Sequence, residues 1–217
     1  MSHAQELTIK DAHGGDVPAR QFSGTGVGSA IILPGLGYTG DFPLLLALRQ
    51  QLHNHVQHIL VLDYDYRANT AFMAAEDRAR LDWLACDGQA YLDQCLAMYG
   101  DAPIIIAGKS LGTICMGGMS GQPLGSRSIW LTPSLIGTGL FGCIAATVGP
   151  GVTIIGTRDP TIDEVRAPAY SAMPNMSVFE AEGMDHAWTH PNGEASMTAR
   201  TNAVMAQLDD WLLATLP

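Results

Sequence analysis

Charge is scarce in this chain and basic charge scarcer still: 15% of its 217 residues are charged, and 21 acids face 11 bases for a formal net charge of −10. A surface so poor in cations repels nucleic acid and anionic membrane alike, so neither is expected as a partner. Long apolar runs are missing too. Residues 1–15 have neither the basic start nor the apolar stretch of a signal peptide. The longest weakly polar stretch, residues 136–148, is too short and too rich in glycine to span a bilayer. Cysteine is sparse, at four residues. Cys86 and Cys95 stand nine apart on one expected helix, on opposite faces and too far along its axis to bond each other. Cys115 and Cys143 sit among apolar residues and read as buried thiols, so no disulfide is expected. His53, His55 and His58 match neither an i,i+4 pair on one helix face nor a zinc spacing, and no metal is expected. Repeats and low-complexity linkers are absent. From these absences a soluble, cytoplasmic protein is expected.

What is present is apolar matter in short, punctuated runs. Hydrophobic residues make up 47% of the chain, enough for residues 1–217 to be expected as a single domain around a sizeable core. Two alternating segments, Glu6 to Lys10 and Val17 to Phe22, flank a Gly-rich turn and predict an antiparallel hairpin. Apolar strands are expected at Ala30 to Leu33, His58 to Asp63, Ile104 to Ile106, Ser126 to Leu131, Gly151 to Thr157 and Ser177 to Ala181. Helical periodicity fills the gaps: Phe42 to Asn54, Ala68 to Tyr99 with a break near Asp87-Gly88, and Ala195 to Leu213. Strands alternating with helices predict a mainly parallel, doubly wound sheet with its site at the carboxyl ends.

The run 104–112, Ile-Ile-Ile-Ala-Gly-Lys-Ser-Leu-Gly, carries the most chemistry. A buried strand that must turn abruptly into a helix, expected over Ile114 to Met119, leaves Ser110 at a strained corner with its hydroxyl pushed out above the sheet. The helix start beside it offers unpaired N–H groups to a developing oxyanion. A phosphate-binding loop is excluded, because the glycine such a loop needs five residues before Gly108 is Pro103 here. A helix-capping role is the bland alternative for the serine, and the strand before it with the helix after it argues for a nucleophile.

A nucleophilic serine needs a base and an acid to orient that base. Asp159 follows the strand at 151–157 and His186 follows the strand at 177–181, so both fall on loops at the same sheet edge. Asp163, Glu164 and Asp185 compete for the acid, and His190 for the base. Asp185 is the weaker because neighbouring side chains diverge too far for one to orient the other.

With Gly108-Lys109-Ser110-Leu111-Gly112, Gly156-Thr157-Arg158-Asp159, Gly183-Met184-Asp185-His186 and the loop Pro34-Gly35-Leu36-Gly37 after a strand, the chain resembles the α/β-hydrolases, specifically a small, lidless serine esterase. That resemblance implies a doubly wound, mostly parallel eight-stranded sheet with an N-terminal antiparallel hairpin and helices on both faces. It implies Ser110, Asp159 and His186 as nucleophile, acid and base, and the backbone N–H groups of Leu36 and Leu111 as oxyanion hole, with Pro34 where the family usually has histidine. Fewer than about twenty residues separate the strands at 126–131 and 151–157, too few for a large lid. Tyr38, Tyr64, Arg67 and Trp188 follow strand ends and are candidates to line the cleft, with Arg67 able to hold a substrate carboxylate or to pair with Asp65. The expected activity is cleavage of a small carboxylic ester or thioester through an acyl-enzyme, with no cofactor. The alternatives are a silent binding module of the same fold and a triad enzyme that transfers acyl groups. Lys109, in the variable position of the elbow, receives no role, and Trp83, Trp130 and Val178 are candidates for either core or subunit interface.

Overall fold

A computed structural model describes residues 4–135, 137–147 and 149–215, so both ends of the stretch 136–148 lie outside the described residues. In chain order the elements are β1 (Gln5–Lys10), β2 (Asp16–Ser23), β3 (Ser29–Leu33), α1 (Pro43–Leu52), β4 (His58–Leu62), α2 (Thr70–Ala74), α3 (Asp77–Tyr99), β5 (Ile104–Lys109), α4 (Leu111–Gly117), β6 (Arg127–Leu131), α5 (Leu140–Ala145), β7 (Gly151–Gly156), α6 (Ile162–Val165), α7 (Pro168–Ser171), β8 (Met176–Ala181) and α8 (Glu194–Thr215). The strands form one eight-stranded sheet in the order β1-β2-β4-β3-β5-β6-β7-β8. β1 and β2 are an antiparallel hairpin and β2 runs antiparallel to β4; every other neighbouring pair is parallel.

The strand sequences explain the order. β3, β5, β6 and β7 are buried at every position, as strands covered by helices on both faces must be. Period-two alternation sends Ile31, Leu33, Ile104 and Ile106 into one core, with α3, α4 and α5. Ala30, Ile32, Ile105 and Ala107 enter the other, with Leu44, Leu48, Val204 and Leu208 of α1 and α8. Trp130 lies in the first core with its indole N–H on Ser128 Oγ, and Trp83 is half-buried against it. Among the described residues no helix is long and apolar enough to cross a membrane.

Three expectations are corrected. The break near Asp87-Gly88 does not exist: α3 runs unbroken from Asp77 to Tyr99, and the helical region divides at Ala75-Glu76 instead. Gly88 is a packing residue, because a Cβ there would overlap the backbone of Cys115 where α3 crosses α4. The helix after the elbow begins at Leu111 rather than at Ile114. Cys143 is exposed, whereas Cys115 is buried; all four thiols are free.

The loops that matter all leave the sheet at one edge. Leu33 pairs with Gly108 and Lys109 with Leu131, so the segments after β3, β5 and β6 emerge side by side. Those after β7 and β8 follow in register, Gly156 opposite Ala181.

Candidate active site

Ser110 is the hinge between β5 and α4. Its φ of 50° and ψ of −114° place it in a backbone region that L-residues avoid, and the neighbourhood holds it there. Its N–H donates to Leu131 O at 3.0 Å, and its carbonyl accepts from Thr113 N at 2.9 Å and Thr113 Oγ1 at 2.5 Å. The corner closes only because Gly112 lacks a side chain, since a Cβ there would overlap the Leu33 carbonyl. Such strain is typical of a residue whose side chain must be presented rather than packed.

Three side chains converge on that corner. Ser110 Oγ lies 2.9 Å from His186 Nε2, and His186 Nδ1 lies 2.8 Å from Asp159 Oδ2. Asp159 is buried, and its other oxygen accepts from Thr161 N at 3.0 Å and Thr161 Oγ1 at 2.8 Å. Burial pushes this carboxyl pKa up, but the bonds from His186 and Thr161 outweigh burial and hold it below the ordinary value. The imidazole therefore has an ionised acceptor on Nδ1, which fixes the tautomer that leaves Nε2 free to take a proton from Ser110.

The competing acids face elsewhere. Asp185 accepts from Thr189 N at 2.8 Å and Thr189 Oγ1 at 2.6 Å, which shapes the loop that carries His186. Asp163 and Glu164 lie in the first turn of α6. His190 Nδ1 accepts from Asn192 N.

A cleft of about 450 Å³ opens over Ser110, with Gly35, Leu36, Tyr38, Arg67, Lys109, Trp188 and Met197 among its walls. Leu36 and Phe42 are large apolar side chains left exposed at its mouth. Leu111 directly follows Ser110 and Leu36 lines the same cleft, and among the described residues neither N–H donates to a backbone carbonyl. Leu111 is the first residue of α4, where an N–H has no helical partner.

The four proposed lining residues fare differently. Tyr38 lines the cleft, and its hydroxyl accepts from Leu44 N at 3.2 Å; burial pushes its pKa up to about 12. Arg67 is exposed at the rim, with Nη2 at 3.4 Å from Leu36 O. Its backbone N–H, not its guanidinium, meets Asp65. Trp188 contributes an edge only: it is 1% exposed, with its indole N–H bonded to Thr201 Oγ1 on α8. Tyr64 is not in the cleft wall. Its hydroxyl passes behind the loop after β3 and donates to Pro34 O at 2.5 Å, so it supports the loop that carries Leu36.

Two contributors were not singled out from the sequence. Ser134, on the loop after β6, brings its Oγ to 3.4 Å from Ser110 Oγ, and Met197 reaches the cleft from α8. Met197 had only its place in an amphipathic helix as a signal.

The sheet order, the antiparallel first pair and the strained serine corner now stand beside solved structures. The chain superposes on the Est1E protein of Butyrivibrio proteoclasticus with TM-score 0.73 and 14% identity, over 97% of this chain and 98% of that one. This is the α/β-hydrolase fold. The same α/β-hydrolase architecture appears in a thermophilic esterase of Thermogutta terrifontis solved with propionate, at TM-score 0.70 and 15% identity over 99% of this chain and 96% of that one. It appears again in an esterase of Pyrococcus furiosus, at TM-score 0.71 and 13% identity over 100% and 94%. No protein-family sequence model matches the chain, and no curated protein sequence does. At such identities the likeness speaks for the fold, and the chemistry rests on this chain's own residues.

Proposed function

We propose that this protein is a serine hydrolase that cleaves small carboxylic esters, or thioesters, through an acyl-enzyme. The observation that carries the reading is the unbroken line from Ser110 Oγ through His186 to Asp159, at 2.9 and 2.8 Å, on a strained elbow. In the acylation step His186 Nε2 takes the hydroxyl proton while Ser110 Oγ bonds to the substrate carbonyl carbon. The oxygen of that carbonyl becomes an oxyanion that accepts from the N–H groups of Leu36 and Leu111. Collapse expels the alcohol or thiol, which leaves with the proton held by His186. Water, deprotonated by the same imidazole, then attacks the acyl-enzyme and releases the acid with Ser110 restored. Asp159 stays ionised throughout and stabilises the imidazolium.

Leu36, Phe42 and Met197 favour an apolar acyl or alcohol group of modest size. Est1E has been solved with ferulic acid bound, and the Thermogutta esterase with propionate; both are carboxylic acids, the class of molecule this reading expects the present chain to release. One catalytic unit without a large lid fits the short connection between β6 and β7, in which the described residues form one short helix, α5. Four free thiols fit a cytoplasmic setting.

The test is fluorophosphonate labelling of the wild type and of Ser110→Ala, with p-nitrophenyl esters of increasing acyl length. Labelling confined to the wild type, and a loss of turnover on the order of 10⁴-fold or more in the variant, is expected. A wild type that does not label supports the silent binding module instead, and product analysis with a competing acyl acceptor separates hydrolysis from transfer.

A further inference from the structure

Lys109 stands one residue before Ser110, at the last position of β5, and is 2% exposed. A buried ammonium is costly unless each N–H is met. Here three partners meet it, and none is a carboxylate. Nζ donates to the carbonyl oxygen of His186 at 2.9 Å and to Thr132 Oγ1 at 3.3 Å, and it lies 4.4 Å from the centre of the Tyr38 ring. These partners sit on three different loops, after β8, β6 and β3. The same three loops carry the base His186, the Ser134 hydroxyl beside Ser110, and the amide of Leu36.

We propose that Lys109 is a positioning residue whose ammonium pins these three loops in the register that brings His186 and the Leu36 amide onto Ser110; the proposal rests on the hydrolase reading. A longer or shorter reach at the pin moves the base relative to the nucleophile, and a displacement of about 1 Å in such a pair costs on the order of 10²-fold in rate.

The pin is sensitive to pH. Burial draws the Lys109 pKa down to about 8, against the opposing pull of Asp159 and Asp185. The ionisable groups around it are His186 and Asp185 on the loop after β8, Asp159 on the loop after β7 and Tyr38 on the loop after β3. Both aspartates are held below the ordinary carboxylate value and Tyr38 is pushed up to about 12, so these three keep one charge state around pH 8. As pH rises through about 8 the neutral amine keeps an N–H for the His186 carbonyl, but it loses the charge-assisted strength of that bond and the attraction of the Tyr38 ring. Activity therefore falls on the alkaline side.

The experiment compares wild type, Lys109→Met and Thr132→Val for thermal melting, fluorophosphonate labelling and the pH profile of kcat and KM on a short p-nitrophenyl ester, corrected for hydroxide background. The expected wild-type profile descends near pH 8. Lys109→Met loses about 10- to 100-fold in kcat with KM changed less than about 3-fold, and its descending limb is gone. Should Lys109→Met fail to fold, Thr132→Val removes one acceptor, and its limb moves to lower pH because the ammonium is less well held. A folded Lys109→Met with wild-type kcat, or with the limb still in place, overturns the pin, as does a Thr132→Val limb that stays put. A wild type that neither labels nor turns over ester at any pH overturns the hydrolase reading itself, which is a different result.

Discussion

Replacing Asp159 by asparagine tests the hydrogen-bond order of the site with little change in shape. Asp159 Oδ1 faces two donors, Thr161 N at 3.0 Å and Thr161 Oγ1 at 2.8 Å, while Oδ2 faces His186 Nδ1 at 2.8 Å. An asparagine must turn its single carbonyl oxygen to one side. The Thr161 backbone N–H cannot be rotated away, so the oxygen stays there and the amide N–H₂ falls against His186. The ring then accepts on Nδ1 and carries its proton on Nε2, pointing at Ser110 Oγ, where it cannot take a proton. The expected loss is on the order of 10⁴-fold in kcat at neutral pH, about 5.4 kcal/mol of barrier at 1.36 kcal/mol per tenfold. Fold stability responds differently. The folded carboxyl pKa is depressed, so its contribution is present above the ordinary carboxylate value and disappears as pH falls through the lower folded value. Asp159→Asn should therefore melt somewhat below wild type at pH 7, with the gap closing as the solution is acidified through the carboxylate range. Ester turnover and the second-order rate of fluorophosphonate labelling at pH 7 measure the chemistry; melting from pH 7 down to pH ~3 measures the fold. Turnover within about tenfold of wild type would refute the assignment of Asp159 as the orienting acid.

Two further substitutions probe the scaffold behind the site. Gly88→Ala gains up to about 1 kcal/mol of helix propensity, but its Cβ meets the Cys115 backbone rather than a yielding side chain, so overpacking of about 1–3 kcal/mol prevails and the midpoint of urea unfolding falls. An unchanged midpoint would mean that α3 and α4 are not in close contact. Tyr64→Phe removes the donor to Pro34 O and should lower stability by about 1 kcal/mol. Because Pro34 begins the loop that carries Leu36, kcat should fall several-fold while KM holds; a change in KM alone would return Tyr64 to the cleft wall.

How much of this was legible in the sequence depends on what kind of contact is involved. The strands were legible because burial on both faces demands uninterrupted apolar runs, and Ala30 to Leu33 or Ile104 to Ile106 have no other reading. The shared edge was legible too, since parallel strands put their carboxyl ends on one side of the sheet, and Ser110, Asp159 and His186 each follow such an end; the order of the strands was not. Helix details failed where tertiary context overrode local signals: Gly88 looks like a breaker until α4 is laid across it, and Cys143, although it stands in an apolar run, is exposed. The supports of the site were hidden for a deeper reason. Tyr64 holds the carbonyl of Pro34, and Lys109 holds the carbonyl of His186. A backbone carbonyl is the same group in every residue, so its partner leaves no mark on the sequence that accepts it. Only the donors stand out, a tyrosine expected in the cleft wall and a lysine given no role, and only the fold shows which carbonyl each one reaches.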